Sequence, residues 1–306
     1  MACLFEVTLG SEQARFVKEA RAALDLVDSL EDTLTVFREE SELQRLNKAA
    51  ASAPVPVSAD LLAVLLLCRD LHGATDGAFD PTSMPLSREW GFLAREGRLP
   101  SKEEIAASRA RVGLERVSLD EANRTVSFTG PGVELNLGSV GKGWALDRIA
   151  ETLRERGLRR ALVNAGGSSF LGWGRDEWLV SLSAGGASLA SLRIHDAALG
   201  TSGAGEQHFE IEGRRFGHVI DPRTGWPAAG VKSATVISNG AATAEALATA
   251  FLVAGGALAR AYCARNPGTV ALLVLEDEPR TIVVYGSRAG VGLDTEPDVR
   301  LASDEA

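Results

Sequence analysis

Apolar residues near the start of the chain are spaced as on one face of a helix. Between residues 11 and 34 they lie mostly three or four positions apart, at Phe16, Ala20, Ala23, Leu24, Val27, Leu30 and Leu34. This spacing predicts a long amphipathic helix. Ser58 precedes a second apolar segment, which predicts a helix from Ala59 to about Leu71 that ends at His72 and Gly73.

The middle of the chain alternates strand patterns with turns and helices. Ser101 and Glu104 have the spacing of a capping box and predict a short third helix, and the sequence VSLDEANRTVSF that follows predicts a hairpin. The apolar segment VELNL predicts a strand leading into the glycine-rich loop GSVGKG. That loop is expected to open a helix from Trp144 to Arg156, which Gly157 ends.

Strand patterns dominate the C-terminal half. ALVNA predicts a strand before a turn at Gly166 and Gly167, and WLVSLS and ASLASLRI predict antiparallel strands. SATVIS predicts a further strand, and the helix after it contains Glu245 and Thr249. A second helix around Ala257 to Arg265 and a hairpin of TVALLVLED and RTIVVYGS complete the pattern.

The alternation of elements indicates one α+β fold. No linker rich in Pro, Gly or Ser divides the chain, so residues 1–306 are interpreted as a single two-lobed domain with an antiparallel sheet and flanking helices. The acidic tail from about residue 293 is expected to be poorly ordered.

Composition excludes several classes of protein. The 306 residues are 45% hydrophobic and 24% charged, as in ordinary globular proteins. A net charge of −9 argues against nucleic acid binding, and no apolar segment is long enough to span a membrane. Cys3, Cys68 and Cys263 are scattered, which predicts free thiols in a reducing compartment. Because the first residues lack the pattern of a signal peptide, the sequence predicts a cytoplasmic protein.

One polar loop in the C-terminal half combines several reactive side chains. The sequence HVIDPRTGWP places an imidazole, a carboxylate, a guanidinium and a hydroxyl between His218 and Thr224. Such a loop is typical of binding or catalytic sites and not of a core.

The helix after this loop carries two oxygen donors. Glu245 and Thr249 lie four residues apart and therefore on one helix face. Oxygen ligands on one face suggest a site for a hard cation such as Mg²⁺, which is usually shared with phosphates. The alternative is that Thr249 bonds back to its own helix and that Glu245 is solvated.

Two turns have both a functional and a structural interpretation. GSVGKG can bring backbone N–H groups and Lys142 to a phosphate, but it lacks the P-loop spacing and the third glycine of a dinucleotide motif. A simple strand-to-helix turn is the alternative. TDGAFDPT presents Asp80 before a proline; its structural alternative is an Asx turn with Phe79 in the core.

Seven ordered segments together carry a family resemblance over nearly the whole chain. They are LTVFREESELQRLN, TDGAFDPT, LNLGSVGKGWALD, NAGG, ALGTSG, HVIDPRTGWP and EALATAFLVAG. In this order they resemble the motifs of the ApbE family, the FAD:protein FMN transferases.

The resemblance implies an activity and its residues. It implies an enzyme that binds FAD with Mg²⁺, cleaves the diphosphate, transfers FMN to a threonine hydroxyl of an acceptor flavoprotein and releases AMP. It assigns the metal to Ser139, Glu245 and Thr249, and the base that deprotonates the hydroxyl to His218. It assigns the flavin nucleotide to Met1, Phe37, Ala78, Phe79, Asp80, Asn136 and Lys142, with Gly166, Gly167, Ser202 and Gly203 nearby.

Several positions depart from the family's pattern. Glu245 replaces an Asp at the metal, Asn136 replaces an acidic residue, Phe37 replaces a Tyr, Ser168 follows the NAGG segment, and Met1-Ala2-Cys3 replaces M-G-T. Two alternatives to a working transferase therefore stay open. One is an FAD-binding homologue without transfer activity, and the other is an FAD pyrophosphatase in which water replaces the threonine.

Overall fold

The computed structural model describes residues 3–175, 177–205, 207–288 and 291–303. In this part of the chain, 3-10 helices span Ser11–Phe16 and Leu114–Arg116. The α-helices are α1 (Val17–Leu24), α2 (Leu26–Leu34), α3 (Glu42–Ala49), α4 (Ala59–Ala74), α5 (Met84–Glu89), α6 (Lys102–Arg109), α7 (Gly141–Glu155), α8 (Ala241–Ala254) and α9 (Gly256–Arg265).

The strands follow in chain order. They are β1 (Phe5–Thr8), β2 (Val55–Pro56), β3 (Val117–Asp120), β4 (Thr125–Phe128), β5 (Ala161–Ala165), β6 (Ser169–Trp173), β7 (Trp178–Ala184), β8 (Ala187–Ile194), β9 (Ala197–Gly203), β10 (His208–Ile211), β11 (Arg214–Gly217), β12 (Val231–Ser238), β13 (Val270–Leu275), β14 (Thr281–Tyr285), β15 (Gly292–Thr295) and β16 (Arg300–Ser303).

The chain divides into two compact units. The first contains the chain up to Asp28, Val140–Gly203 and the chain from Ala229 onward. The second contains Ser29–Ser139 and Ala204–Ala228. The mixture of helices with mainly antiparallel sheets confirms the predicted α+β class, whereas the assignment of the whole chain to one domain stays a prediction.

The first unit is built on an eight-stranded sheet in the order β1-β5-β6-β9-β12-β13-β14-β16. All neighbours are antiparallel except β14 and β16. Successive strand residues face opposite sides: Ala198 packs with helices α1, α7 and α8, and Leu199 packs on the other face with β7 and β8. The sheet therefore has a helical layer on one face and the small β15-β8-β7 sheet on the other.

Small residues let α8 approach its neighbours closely. A Cβ atom built on Gly200 of β9 would lie 2.6 Å from the backbone nitrogen of Glu245, and one on Gly143 of α7 would collide with Ala241 of α8. Glycine at these two positions therefore permits α7, α8 and the sheet to pack backbone against backbone.

The second unit combines α3–α6 with the β2-β4-β3 sheet and the β10-β11 hairpin. One part of its core consists of Leu86, Trp90, Ile105, Val112 and Ile220, with Phe92, Phe209 and Phe216 packed against it.

Local helix signals are confirmed. Ser58 accepts a hydrogen bond from Leu61 N at the start of α4, and Ser101 and Glu104 form the predicted capping box of α6. The strand pairs β3-β4, β7-β8 and β13-β14 are antiparallel, as the sequence predicts.

Two element predictions are wrong. The single helix over residues 11–34 is divided into a 3-10 helix, α1 and α2, and the break at Asp25 occurs where its N–H bonds to both Ala23 O and Arg21 O. The segment VELNL forms no strand. Its Leu135 N–H donates to Asn47 Oδ1, and its Leu135 C=O accepts from Asn47 Nδ2, each at 2.9 Å. A side chain thus replaces the strand ladder.

The C-terminal tail contains regular structure as far as it is described. Residues 292–295 and 300–303 form β15 and β16, and Val299 between them is buried. The poor order expected from about residue 293 stays a prediction.

Candidate functional site

In the first unit, the carboxylate of Glu245 is held at the start of α7. Its Oε1 forms an ion pair with Lys142 Nζ, and its Oε2 accepts a hydrogen bond from Gly143 N at 2.7 Å. The Glu245 side chain is 3% exposed. A buried carboxylate needs such partners because desolvation of an unpaired charge is costly. The structure therefore brings together the Lys142 and Glu245 that the sequence assigned to nucleotide and metal.

Helices α7 and α8 exchange carboxylate caps. While Glu245 on α8 accepts from the first turn of α7, Asp147 on α7 accepts from the first turn of α8. The Asp147 oxygens take the N–H groups of Ala241 at 2.8 Å and Ala242 at 2.9 Å. Burial raises the pKa of Asp147, against the lowering effect of these two hydrogen bonds. Each carboxylate lies at the positive end of the partner helix, where a negative charge is stabilised.

Two hydroxyls lie one turn further along α8. Thr249 Oγ1 lies 3.0 Å from Ser202 Oγ on β9 and donates a hydrogen bond to Glu245 O at 3.3 Å. The back-bond is the structural alternative considered for Thr249, and it coexists with the contact to Ser202. Gly203 follows at the end of β9. Thr249 and Ser202 thus supply two neighbouring hydroxyl oxygens, one helical turn along α8 from Glu245.

The Gly166-Gly167 turn connects β5 to β6. Both residues have positive φ angles, 61° and 69°, which glycine adopts without strain. Gly166 N donates to Leu4 O at 2.9 Å, and Gly167 N donates to Asn164 Oδ1 at 3.0 Å. Cys3 contacts this turn, and burial raises the pKa of its thiol.

In the second unit, the TDGAFDPT segment forms a tight turn around Asp80. Its Oδ1 accepts hydrogen bonds from Thr82 N at 2.7 Å and Thr82 Oγ1 at 2.6 Å. Its Oδ2 lies 3.2 Å from His72 Nε2. Ala78 and Phe79 are buried, so the structural interpretation of Phe79 as a core residue applies, while Asp80 has the contacts of a fixed polar group.

Three further assigned residues lie in the second unit. Asn136 N donates to Pro81 O at 2.7 Å, and its Oδ1 accepts from Gly138 N at 2.9 Å. Asn136 is therefore tied to the Asp80 turn. Ser139 is half-buried in the turn after Gly138. Phe37 is 78% exposed.

The His218 loop has a defined tautomer and a rigid turn. His218 Nδ1 lies 3.2 Å from Gln207 O. Since a carbonyl only accepts, Nδ1 is the donor in this contact, and in the neutral imidazole Nε2 then carries the lone pair. Asp221 holds Arg223 through two contacts of 2.9 Å, which raises the pKa of the guanidinium. Trp90 Nε1 donates to Gly225 O at 2.9 Å and anchors the turn.

The assigned residues fall into both units. Lys142, Gly166, Gly167, Ser202, Gly203, Glu245 and Thr249 belong to the first, and Phe37, Ala78, Phe79, Asp80, Asn136, Ser139 and His218 belong to the second. Met1 lies outside the described residues. Among the described residues, no group of three or more His, Cys, Asp or Glu side chains could hold a metal ion. The site roles of all these residues stay predictions.

Sequence reasoning missed three residues that hold the assigned ones. His72 was interpreted as a helix end, Asp147 only as the last residue of the motif LNLGSVGKGWALD, and Asn47 only as the last residue of the motif LTVFREESELQRLN. The partners of Asp147 and Asn47 lie 94 and 88 positions away along the chain. His72 is eight residues before Asp80, and the signal available was a histidine at the end of a helix just before an acidic turn.

Comparisons with known proteins agree with the motifs. The ApbE family model matches residues 1–274. The FAD:protein FMN transferase of Vibrio cholerae is 34% identical over 263 residues, covering 83% of this chain and 78% of its own length. The FAD:protein FMN transferase of Escherichia coli K12 is 30% identical over 278 residues, covering 87% and 78%.

Solved structures agree as well. The ApbE protein of Thermotoga maritima superposes with a TM-score of 0.81 at 28% identity, covering 94% of this chain and 97% of its own. The flavinyl transferase ApbE of Pseudomonas stutzeri gives a TM-score of 0.76 at 25% identity, covering 97% and 95%. In the described part of the chain, no helix is long and apolar enough to cross a membrane. From its seven motifs and its match over residues 1–274, the chain belongs to the ApbE family.

Proposed function

We propose that this protein is an FAD:protein FMN transferase that moves FMN from FAD to a threonine hydroxyl of an acceptor flavoprotein and releases AMP. The observation that carries the proposal is the buried Glu245 carboxylate at the start of α7, with the paired hydroxyls of Thr249 and Ser202 one turn further along α8. Relatives that are 30–34% identical bear the name FAD:protein FMN transferase.

The donor atoms of the first unit fit a magnesium ion that is shared with phosphates. Glu245 and Thr249 offer oxygen, which Mg²⁺ prefers. Each carboxylate oxygen has two lone pairs, and Lys142 and Gly143 use one on each, so acceptor capacity remains. Lys142 already neutralises Glu245, however. A divalent ion would therefore need the negative charge of a diphosphate to balance its own. Ser139 stays a third ligand that only the resemblance assigns.

The start of α7 is suited to the diphosphate. The helix N-terminus carries a partial positive charge, and Lys142 adds a full one. When bound, magnesium would stabilise the negative charge that develops on the diphosphate oxygens during cleavage. Lys142 would supply a second positive charge for the same oxygens.

His218 is the proposed base of the reaction. The threonine oxygen forms a bond to the phosphorus of the FMN half, the bond from that phosphorus to the AMP oxygen breaks, and the hydroxyl proton moves to His218 Nε2. The Nδ1 hydrogen bond to Gln207 O supports this assignment because it leaves the lone pair on Nε2. The edge of Phe92 against the imidazole, with ring centres 6.5 Å apart, limits rotation of the ring.

A second candidate function is an FAD-binding homologue without transfer activity. The ion pair of Lys142 with Glu245 favours it, because Lys142 already neutralises the carboxylate that a metal ion would use. An FAD pyrophosphatase would use the same groups, with water in place of the threonine.

One experiment separates these functions. The protein is incubated with FAD and Mg²⁺, with an acceptor flavoprotein, with the acceptor carrying Thr→Val at its target, and without acceptor. AMP release and covalent flavin fluorescence of the acceptor are measured. If AMP release and covalent flavin fluorescence both appear only with the threonine acceptor, the protein is a transferase. AMP in all three samples indicates a pyrophosphatase, and FAD binding without AMP indicates the non-catalytic homologue.

A further inference from the structure

His72 and Asp80 form a pair within the second unit that the proposed reaction leaves unused. His72 Nε2 lies 3.2 Å from Asp80 Oδ2, and the side chains are 25% and 3% exposed. The backbone fixes the histidine from another side: Gly77 N donates to His72 O at 3.0 Å, and a Cβ atom on Gly77 would lie 3.5 Å from the ring nitrogen. The pair is thus part of the turn itself.

The two oxygens of Asp80 have different surroundings. Oδ1 accepts two hydrogen bonds from Thr82, whose hydroxyl accepts from Gly113 N at 2.7 Å. Both lone pairs of Oδ1 are therefore used. Oδ2 faces His72, which uses one lone pair. Any ligand that hydrogen-bonds to Asp80 must therefore approach the oxygen that His72 orients.

The charges around His72 come from several elements. Asp80 lies against the imidazole, and Glu115 acts on it from the 3-10 helix Leu114–Arg116. Arg223, paired with Asp221, lies on the same side of Gly77 as the imidazole, with its Cγ 3.9 Å from a Cβ atom built on Gly77. The hydrogen bond to Asp80 raises the pKa of His72, against the effect of burial. The Asp80 charge also helps burial to raise the pKa of the Cys68 thiol. A protonated His72 therefore places a positive charge against the buried Asp80 carboxyl group.

We propose that His72 is a positioning residue of the nucleotide site, which orients Asp80 Oδ2 toward a hydroxyl or amino group of the nucleotide and neutralises Asp80 beside the anionic ligand. The inference rests on the proposed function, in which Asp80 contacts FAD. Neutral His72 can still donate from Nε2, so the geometry persists at high pH, whereas the charge compensation is lost.

The test measures FAD affinity as a function of pH. Flavin fluorescence in magnesium buffer gives the dissociation constant between pH 5.5 and 8.5 for the wild type, His72→Gln and His72→Ala. We expect the wild-type affinity to fall about tenfold as the pH rises through the pKa of His72. Gln keeps a donor but no titrating charge, so His72→Gln should bind FAD with a flatter profile. His72→Ala should bind about tenfold more weakly at low pH.

Controls separate this role from a structural one. His195→Gln changes an exposed histidine beside Asp196 and should keep the wild-type profile. Melting temperatures show whether each variant is folded, and kcat should change less than KM. An identical pH profile in the wild type and His72→Gln would overturn the inference while leaving the proposed function intact. Absence of FAD binding by the folded wild-type protein would overturn both.

Discussion

Removal of the Asp147 carboxylate is expected to destabilise the first unit strongly. Asp147 accepts the first two N–H groups of α8, at 2.8 and 2.9 Å, and Ala241 and Ala242 are buried. In Asp147→Ala these donors lose their partner where water has little access. The perturbation therefore tests whether the exchanged caps stabilise the α7-α8 pair.

The magnitude follows from the two hydrogen bonds. A hydrogen bond to a charged group contributes roughly 1.5–3 kcal/mol, and loss of an ordinary N-cap costs about 0.5–2 kcal/mol. The burial that raises the pKa of Asp147 offsets part of the gain. We expect Asp147→Ala to lower the free energy of unfolding by about 3 kcal/mol. The loss of stability for Asp147→Asn should lie between zero and that of Asp147→Ala, because Asn keeps one acceptor oxygen while its NH₂ group cannot accept a hydrogen bond.

Urea unfolding gives the change in the free energy of unfolding, provided that the m-value is unchanged. Hydrogen exchange of the Ala241 and Ala242 amides measures directly how well the cap protects them. Glu151→Ala is the matched control, since Glu151 lies one turn further along α7 in an exposed ion pair with Arg148. It should cost less than about 0.5 kcal/mol. A loss for Asp147→Ala as small as that of the control would falsify the cap argument.

Three further predictions concern single side chains. Glu245→Ala should abolish magnesium-dependent FAD binding in calorimetry, and Glu245→Asp should keep or improve it; equal metal affinity in wild type and Glu245→Ala would remove Glu245 from the site. His218→Ala should lower flavin transfer by a factor on the order of 10²–10⁴ with FAD affinity nearly unchanged, whereas a parallel loss of affinity and melting temperature would indicate a structural role. Because the pKa of His72 is raised from 6.5, its pairing should stabilise the wild type over His72→Gln below pH 6.5 and lose this effect as the pH rises through the raised pKa. Melting curves across pH 5–9 measure this difference, and a difference of the opposite sign would refute the prediction.

The sequence predicted the elements whose causes are local. The caps at Ser58 and Ser101 act on amides three residues away, so the pattern contains all the information that the structure uses. The helix with Glu245 and Thr249 was equally clear, because a run of small apolar residues between two glycines has few other folds.

The error at VELNL arose where a distant group replaced a local one, whereas the helix break at Asp25 involves only neighbouring carbonyl groups. VELNL has the alternation of a strand, but Asn47, 88 positions away, takes the hydrogen bonds of Leu135. No property of the segment itself reveals this partner. The same holds for the caps between Asp147 and α8 and between Glu245 and α7, which require the two helices to lie side by side first.

The substitution of Asp by Glu at position 245 has a physical interpretation in this packing. Glu245 has one more methylene than the family's aspartate, and its carboxylate bonds to Gly143 N and pairs with Lys142 while its backbone lies against Gly200. The longer side chain therefore caps α7 at the position that the family resemblance assigns to a metal ligand. The longer side chain is more flexible, and Mg²⁺ requires ligands held in a near-ideal octahedral arrangement. Glu245→Asp therefore tests whether the shorter side chain improves magnesium binding.

The charges of the first unit explain why metal and nucleotide should bind together. Asp147 and Glu245 contribute two negative charges, and Lys142 contributes one positive charge. The two helix N-termini that these carboxylates cap add about half a positive charge each. Apart from Arg154, whose charge also acts on Asp147, these groups sum to about zero, so a diphosphate or a divalent ion bound without the other would add an uncompensated charge beside buried groups. A diphosphate and a magnesium ion that arrive as a pair leave the balance unchanged, and this is the form in which FAD would meet the enzyme in the proposed reaction.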